Sequence, residues 1–442
     1  MKERVTPRRL KGFQDYGPDV MAKRLAILAA ARKVAHRANF VEIATPALEY
    51  AEVLLGVGGE TDKQVFRFLD GGERDVAMRY DLTVPFARYT AENFGTLIFP
   101  FKRLQIGDVW RAEKPQKGRF REFMQCDLDI IGTNAVAADL EIVACFYDIL
   151  SQIVPSSFTI ACNDRQILST LIKKIFELRE QSEEEQALII LDKLGKQGAN
   201  SVLSLLREQL KVDETKGQKL LALMSTSDEG TRETAIAPYF ESPEEKAIWK
   251  RFQETLQILR ELCTLDKGKI VFDLSIARGL AYYTGLVFET TVDGVEGFGS
   301  ICGGGRYDNL AGRFTQQILP GIGASLGVDR LAALLMEKEG AKESWEGEVF
   351  IAVATEDALS YAFQIAAELR RKGFVVETTL KQQKLSQQFK FANRKAFPVV
   401  LTVGEEEKHS RTVSLRDMRA GEEQKGINLE SLVPQLQTIL KR

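Results

Sequence analysis

The chain has 442 residues, of which 44% are hydrophobic and 28% charged, and its 60 Lys and Arg against 62 Asp and Glu leave a net charge of -2. That length supports a large core spread over roughly three domains, and the mixed, near-balanced charge argues against binding nucleic acid by a strong global positive field, leaving room for a local basic surface. Five scattered cysteines (Cys126, Cys145, Cys162, Cys263, Cys302) with no C-x-x-C pair, and two histidines (His36, His409), argue against a zinc site, a disulfide framework or a histidine-based triad.

The polar start Met1 to Lys11 has no apolar region behind it, and the apolar stretch Leu25 to Ala31 is cut by Arg32 and Lys33, so a cytoplasmic protein without a membrane span is expected. Gly17-Pro18-Asp19 opens a helix over about 20–38 with Met21, Leu25, Leu28 and Ala29 on one face. Short strands follow at Phe40 to Ile43 and at Val65 to Phe68, the latter closed by the turn Asp70-Gly71-Gly72. Residues 102–110 and 119–131 read as the strands of a long hairpin around the polar segment Ala112 to Gly118. Period two puts Gln125, Asp127 and Asp129 on one face of its second strand, and Met124, Cys126, Leu128 and Ile130 on the other.

From about 165 to 262 the pattern is helical, with Leu168, Leu171, Ile172 and Ile175 on one face, and this stretch reads as a helical insertion. Strands return at Ile270 to Leu274, Leu286 to Val292 and Ile322 to Leu326, and Val328, Leu331, Ala332 and Leu335 form a buried helical stripe. The charged stretch Glu337 to Glu348 is a linker candidate. Beyond it Val349 to Val353, Ala358 to Arg371, Phe374 to Thr378, Leu385 to Ala396 and Val399 to Val403 alternate strand and helix, the pattern of a small α/β domain.

Neither Gly303-Gly304-Gly305 nor Gly321-Ile322-Gly323 fits a phosphate loop or a dinucleotide fingerprint, so these read as turn or tight-packing glycines. The hairpin offers another phosphate device: Arg111 and Arg119 flank a loop carrying Lys114 and Lys117, and arginine suits a bidentate grip on phosphate. This hairpin, 107–132, resembles motif 2 of the class II aminoacyl-tRNA synthetases in the version found in histidyl-tRNA synthetases. Gly327-Val328-Asp329-Arg330-Leu331 resembles motif 3, and Ala38 to Glu49, with Pro46, resembles motif 1. Arg79-Tyr80-Asp81-Leu82-Thr83-Val84-Pro85 and Ala277 to Gly285 resemble two segments peculiar to the histidine family.

The resemblance implies an α/β (α+β) fold: a catalytic domain with an antiparallel sheet flanked by helices over 1–164 and 263–337, the helical insertion over 165–262, and a C-terminal α/β anticodon-binding domain over 347–442. It implies a homodimeric ligase that activates L-histidine with ATP and Mg²⁺ and passes it to tRNA(His). No general base is needed, because the attacking carboxylate is already ionised at neutral pH, and the work is positioning and charge neutralisation. The implied catalytic residues are Arg278 and Arg111. Histidine would be held by Asp81, Leu82, Thr83, Arg111, Gln125, Asp129, Arg278, Tyr282 and Tyr283, and ATP by Arg111, Glu113, Arg119 and Arg330. Metal ligands are left unassigned, since magnesium keeps waters and uses phosphates with one or two carboxylates. Lys114 and Lys117 would reach the acceptor end of the tRNA, and Lys381, Lys384, Lys390, Arg394 and Lys395 its anticodon stem. Asp81 and Asp129 stand where many bacterial members have glutamate, and Ala281 where they have aspartate. The rival reading is a non-catalytic regulatory subunit of ATP phosphoribosyltransferase, which usually lacks the C-terminal domain that residues 349–442 supply.

Overall fold

The computed structural model of the chain describes residues 4–56, 64–114, 120–265, 268–276, 283–295, 298–339, 347–380 and 383–441. Chain contacts group them into two units, Met1–Ala341 and Lys342–Arg442, divided inside the expected linker.

In the first unit the strands are β1 (Val41–Glu42), β2 (Leu48–Tyr50), β3 (Arg67–Leu69), β4 (Asp75–Met78), β5 (Phe101–Trp110), β6 (Glu122–Ile131), β7 (Phe158–Asp164), β8 (Gly268–Phe272), β9 (Leu286–Val292), β10 (Cys302–Tyr307) and β11 (Gly321–Gly327). Eight of them form one sheet in the order β1-β5-β6-β11-β10-β9-β7-β8, and β2-β4-β3 form a small second sheet. The large sheet is antiparallel from β5 to β7, with a parallel pair at each edge. The parallel β7–β8 pair has a plain cause: the helical residues 165–262 join the two strands, and parallel neighbours need a long crossover.

The expected hairpin is β5 and β6, and its faces divide as period two requires. Cys126, Leu128 and Ile130 enter the main core, against which helices Pro18–Arg37, Val136–Ile153 and Val328–Glu339 lie. Gln125, Asp127 and Asp129 face the other way, yet they are buried too. The predicted stripe Val328, Leu331, Ala332 and Leu335 is buried on the last of these helices.

The first helix, Pro18–Arg37, occurs where expected but is rotated about its axis. Its buried face is Arg24, Ile27, Leu28, Ala31, Val34 and Ala35, whereas Met21, Leu25 and Ala29 of the predicted face are exposed. The cause is Arg24, which turns inward to pair with Asp329 at 2.9 Å under the Tyr16 ring, a buried charge that apolar periodicity does not register.

The crossover contains helices Arg165–Phe176, Gln181–Leu191, Leu194–Leu210, Glu214–Ser225, Glu229–Ile236 and Pro243–Leu262. Asp164, Asp213 and Asp228 accept amide hydrogens at three of their starts, and Ser242 with Glu245 forms a capping box at the last. Leu168, Leu171, Ile172 and Ile175 are buried as predicted. These helices are not a detached body: their apolar side chains join the sheet's own core, with the Phe252 ring edge-on to Phe272 of β8 at 5.1 Å.

In the second unit β12 (Val349–Val353), β13 (Val376–Thr378), β14 (Val399–Val403), β15 (Thr412–Asp417) and β16 (Glu423–Asn428) form a sheet in the order β13-β12-β14-β15-β16. The sheet is covered on both faces. Val349, Ile351 and Val353 pack with helices Leu359–Arg371 and Leu429–Leu440, while Phe350 and Ala352 pack with helix Leu385–Arg394. β12 is therefore continuously apolar, as a strand buried on two faces must be. Among the described residues no helix is long and apolar enough to cross a membrane.

Candidate active site

Three cross-strand rows make the floor of the site on the polar face of the large sheet. Arg103 stands opposite Asp129, which stands opposite Gly323 and then Gly305; Gln105, Asp127, Ser325 and Gly303 form the next row; Gly107, Gln125 and Gly327 form the third. Arg103 is 0%, Asp129 1%, Asp127 2% and Gln125 8% exposed. Four polar side chains at this depth need partners, because desolvation of an unpaired charge is costly.

Those partners are largely internal. Arg103 Nη2 lies 2.9 Å from Asp129 Oδ2 and 3.7 Å from Asp127 Oδ2, and the Tyr307 hydroxyl donates to Asp129 Oδ1 at 2.5 Å. Gln125 Nε2 donates to Ser325 Oγ at 2.7 Å. Gln125 Oε1 and Asp127 Oδ1 are buried acceptors that receive no hydrogen bond. Burial pushes both aspartate carboxyls above the ordinary range; the Arg103 guanidinium draws them back, and for Asp127 the neighbouring Asp129 charge adds to the rise. Two carboxylates against one guanidinium leave the floor acidic and rich in acceptors.

The glycines make this arrangement possible. A Cβ on Gly323 would fall inside the van der Waals radius of Asp129 Oδ1, and one on Gly305 would lie 2.7 Å from the Leu286 carbonyl and 2.9 Å from the Tyr283 ring. A Gly321 Cβ would meet the Tyr307 ring at 2.8 Å. Tight packing, not a turn, is thus their role, and Gly303–Gly305 lie within strand β10.

One wall is the start of helix Thr83–Glu92. Asp81 Oδ1 accepts the Val84 amide at 3.0 Å, so its carboxylate caps the helix while remaining half-buried beside the floor. Burial raises its pKa, opposed by the Val84 amide and by the charges of Arg111 and Arg103. The Leu82 side chain is fully buried, and its backbone carbonyl accepts from Arg103 Nη2 at 3.1 Å. Arg111 follows β5 with its guanidinium 4.2 Å from the Tyr80 ring centre and 5.0 Å from that of Phe123, and its Nε donates to the Tyr80 carbonyl at 3.2 Å. A cation between two rings with one anchored nitrogen is fixed in orientation before any ligand arrives.

Arg330 lies at the far end of the floor, beside Gly327, and its Nη1 donates to the Ser300 carbonyl. Glu113 is half-buried, and its carbonyl accepts from Arg121 Nε at 3.0 Å. Tyr283 is half-buried and packs in the cluster that holds Tyr307. Arg119, Arg278 and Tyr282 lie outside the described residues, as do Lys117, Ala281 and Lys381. On either side of 277–282, Asn163 Nδ2 donates to the Ile276 carbonyl at 3.0 Å, and the Thr284 amide donates to the Arg306 carbonyl at 2.7 Å.

The structure thus gathers Asp81, Thr83, Arg111, Gln125, Asp129 and Tyr283 around one floor, with Arg330 at its end. Sequence reading missed Arg103 and Tyr307 and gave Asp127 no role. A polar alternation was present in Arg103-Leu104-Gln105-Ile106-Gly107, but the cross-strand pairing that makes Arg103 a partner of Asp129 exists only in the folded register. The five cysteines are buried away from this chemistry; burial pushes the Cys145, Cys162 and Cys263 thiols to about 12. Of the C-terminal basic series, Lys384, Lys390 and Arg394 are exposed, while Lys395 is half-buried and paired with Glu377 at 2.8 Å.

An acidic, acceptor-lined floor beside a caged arginine, on a mixed sheet with a separate α/β unit, has the layout of an aminoacyl-tRNA synthetase. The chain matches the histidyl-tRNA synthetase family over residues 12–331 and the anticodon binding domain over residues 348–439. It is 41% identical over 425 residues to the histidine–tRNA ligase of Rhodopirellula baltica, covering 95% of each chain, and 38% identical over 440 residues to that of Wolinella succinogenes, covering 98% of each. The crystal structure of histidyl-tRNA synthetase from Nostoc sp. PCC 7120 superposes with a TM-score of 0.82 at 27% identity, over 99% of this chain and 100% of that one. The chain belongs to the histidyl-tRNA synthetase family.

Proposed function

We propose a division of labour for this histidine–tRNA ligase in which the sheet floor reads the amino acid and the flanking arginines manage the phosphates. The observation that carries it is the pair of unpartnered buried acceptors, Gln125 Oε1 and Asp127 Oδ1, on the face of β6 that also holds Asp129. Histidine brings an ammonium group and ring N–H donors, and a floor whose acceptors lack hydrogens is completed by such a ligand. Asp81, Thr83 and Gln125 take the ammonium, with Asp129 and Tyr283 at the ring.

Arg111, caged between Tyr80 and Phe123, and Arg278 neutralise the α-phosphate as the histidine carboxylate attacks the phosphorus and pyrophosphate leaves; Arg330, Glu113 and Arg119 hold the rest of ATP. Magnesium accompanies the triphosphate. The half-buried Glu289, across from Gly303 on the floor's own face, is a carboxylate that would hold the ion, which would neutralise phosphate charge there. A terminal hydroxyl of the 3′ adenosine of tRNA(His) then attacks the histidyl carbonyl of the adenylate, forming the ester and releasing AMP.

Residues 1–164 and 263–337 are the catalytic part, 165–262 its helical insertion and 347–442 the anticodon-binding part, whose exposed Lys384, Lys390 and Arg394 suit a phosphate backbone. The active form is a cytoplasmic class II homodimer. Exposed Leu48, Tyr50, Phe68 and Leu69 on the β2–β4–β3 sheet supply an apolar surface that a second copy would cover.

The test is histidine-dependent exchange of labelled pyrophosphate into ATP by the purified protein, followed by charging of tRNA(His). Exchange that histidine alone among the amino acids supports is expected. Intact histidine binding without exchange would instead indicate the regulatory-subunit reading.

A further inference from the structure

Arg103 has no part in the chemistry above, yet among the described residues it is the most enclosed charge in the site. Its Nη2 reaches the Leu82 carbonyl at 3.1 Å and Asp129 at 2.9 Å, its Nη1 donates to Gln105 Oε1 at 3.2 Å, and its guanidinium lies 4.5 Å from the centre of the Phe86 ring. Gln105 in turn donates to Thr45 Oγ1 at 2.8 Å. One side chain thus joins the Asp81–Thr83 turn, through Leu82 and Phe86, to the carboxylates of β6. With no exposed surface of its own, it cannot meet a ligand through the solvent side of the floor.

We propose that Arg103 is a positioning residue that sets amino-acid specificity by holding the Asp127 and Asp129 carboxyls in place as acceptors beside the Asp81–Thr83 turn. The inference rests on reading the floor as the amino-acid pocket. Without a guanidinium beneath them, two buried carboxylates side by side would keep protons and become partial donors. The acceptor row would then no longer match a donor-bearing ring. With Arg103 present the carboxyls are drawn toward the ionised, accepting form, and their negative charge repels acidic side chains. A planar fork with several N–H groups can serve Leu82, Gln105 and Asp129 together; a lysine ammonium supplies the charge without the fork.

The test uses the full-length protein with Arg103→Lys and Arg103→Met, measuring pyrophosphate exchange against histidine, ATP and glutamine. For Arg103→Lys the KM for histidine should rise about tenfold, with KM for ATP within about twofold of wild type and selectivity over glutamine reduced. Arg103→Met should lose more histidine affinity than Arg103→Lys; should it fail to fold, the lysine variant together with calorimetric titration of histidine carries the test. An unchanged KM for histidine, or equal rises in both KM values, would overturn the proposal. Absence of histidine-dependent exchange in the wild type would overturn the site reading beneath it.

Discussion

The Asp329 carboxylate accepts the backbone amide of Met124 at 2.8 Å, fastening the helix that carries Arg330 to the strand that carries Gln125. Its other oxygen holds Arg24 at 2.9 Å, so one side chain links the first helix, strand β6 and the last helix of the unit. Asp329→Ala leaves the buried Arg24 with the longer contact to Asp108 at 3.6 Å as its carboxylate partner, beside the Tyr16 ring and Met21 Sδ, and should cost about 3 kcal/mol of stability, read from the urea midpoint. Because Arg330 moves with its helix, the KM for ATP should rise more than that for histidine. Equal changes would assign Asp329 to stability alone.

Gly323 admits Asp129 to the floor. Adding one methyl group places a Cβ against the Asp129 carboxylate, which Arg103 and Tyr307 prevent from swinging aside. Gly323→Ala should fold with a loss of about 1–3 kcal/mol from overpacking. Histidine affinity, measured by calorimetry, should fall with ATP binding intact. Gly304→Ala is a useful contrast: its Cβ would strike the Gly323 carbonyl and the Ala324 backbone, which cannot yield locally, so general destabilisation is expected instead.

Burial raises the Asp127 carboxyl above the ordinary range. A raised carboxylate favours the folded state while it is protonated, so its contribution to stability is lost as pH climbs from the unfolded pKa of about 4 through its higher folded value. Ligand binding runs the opposite way, since the ionised form is the stronger acceptor and presents no O–H to an incoming N–H. The KM for histidine should therefore fall as pH rises from about 5 to about 8. Asp127→Asn should flatten part of that slope; the part due to the histidine ring's own titration remains in both proteins. Identical slopes would remove Asp127 from the pocket.

The patterns of 102–110 and 119–131 are enough to place the hairpin and the two faces of its second strand, and the helical period places the stripe from Val328 to Leu335, because both depend on local spacing that the core then uses. The first helix was assigned correctly and its face was not, since the ion pair of Arg24 with Asp329 joins residues 305 positions apart. The same limit hid Arg103 and Tyr307, whose meaning comes from cross-strand neighbours. Strand β10 was concealed by its glycines, which break the strand pattern in sequence and permit close packing in the fold.

The second unit offers a way to separate activation from tRNA charging. Gln388, 2% exposed, accepts the Val353 amide at 2.9 Å and donates to the Val353 and Gln383 carbonyls, each at 2.8 Å, closing the end of β12 with one side chain. Gln388→Leu leaves those backbone groups buried without partners, at a cost of about 1–3 kcal/mol to this unit. Since the cores of the two units share no residue, pyrophosphate exchange should be unchanged at moderate temperature. Charging of tRNA(His) should fall at a lower temperature than in the wild type. Exchange and charging lost together, at one temperature, would show that the second unit supports activation as well as tRNA binding.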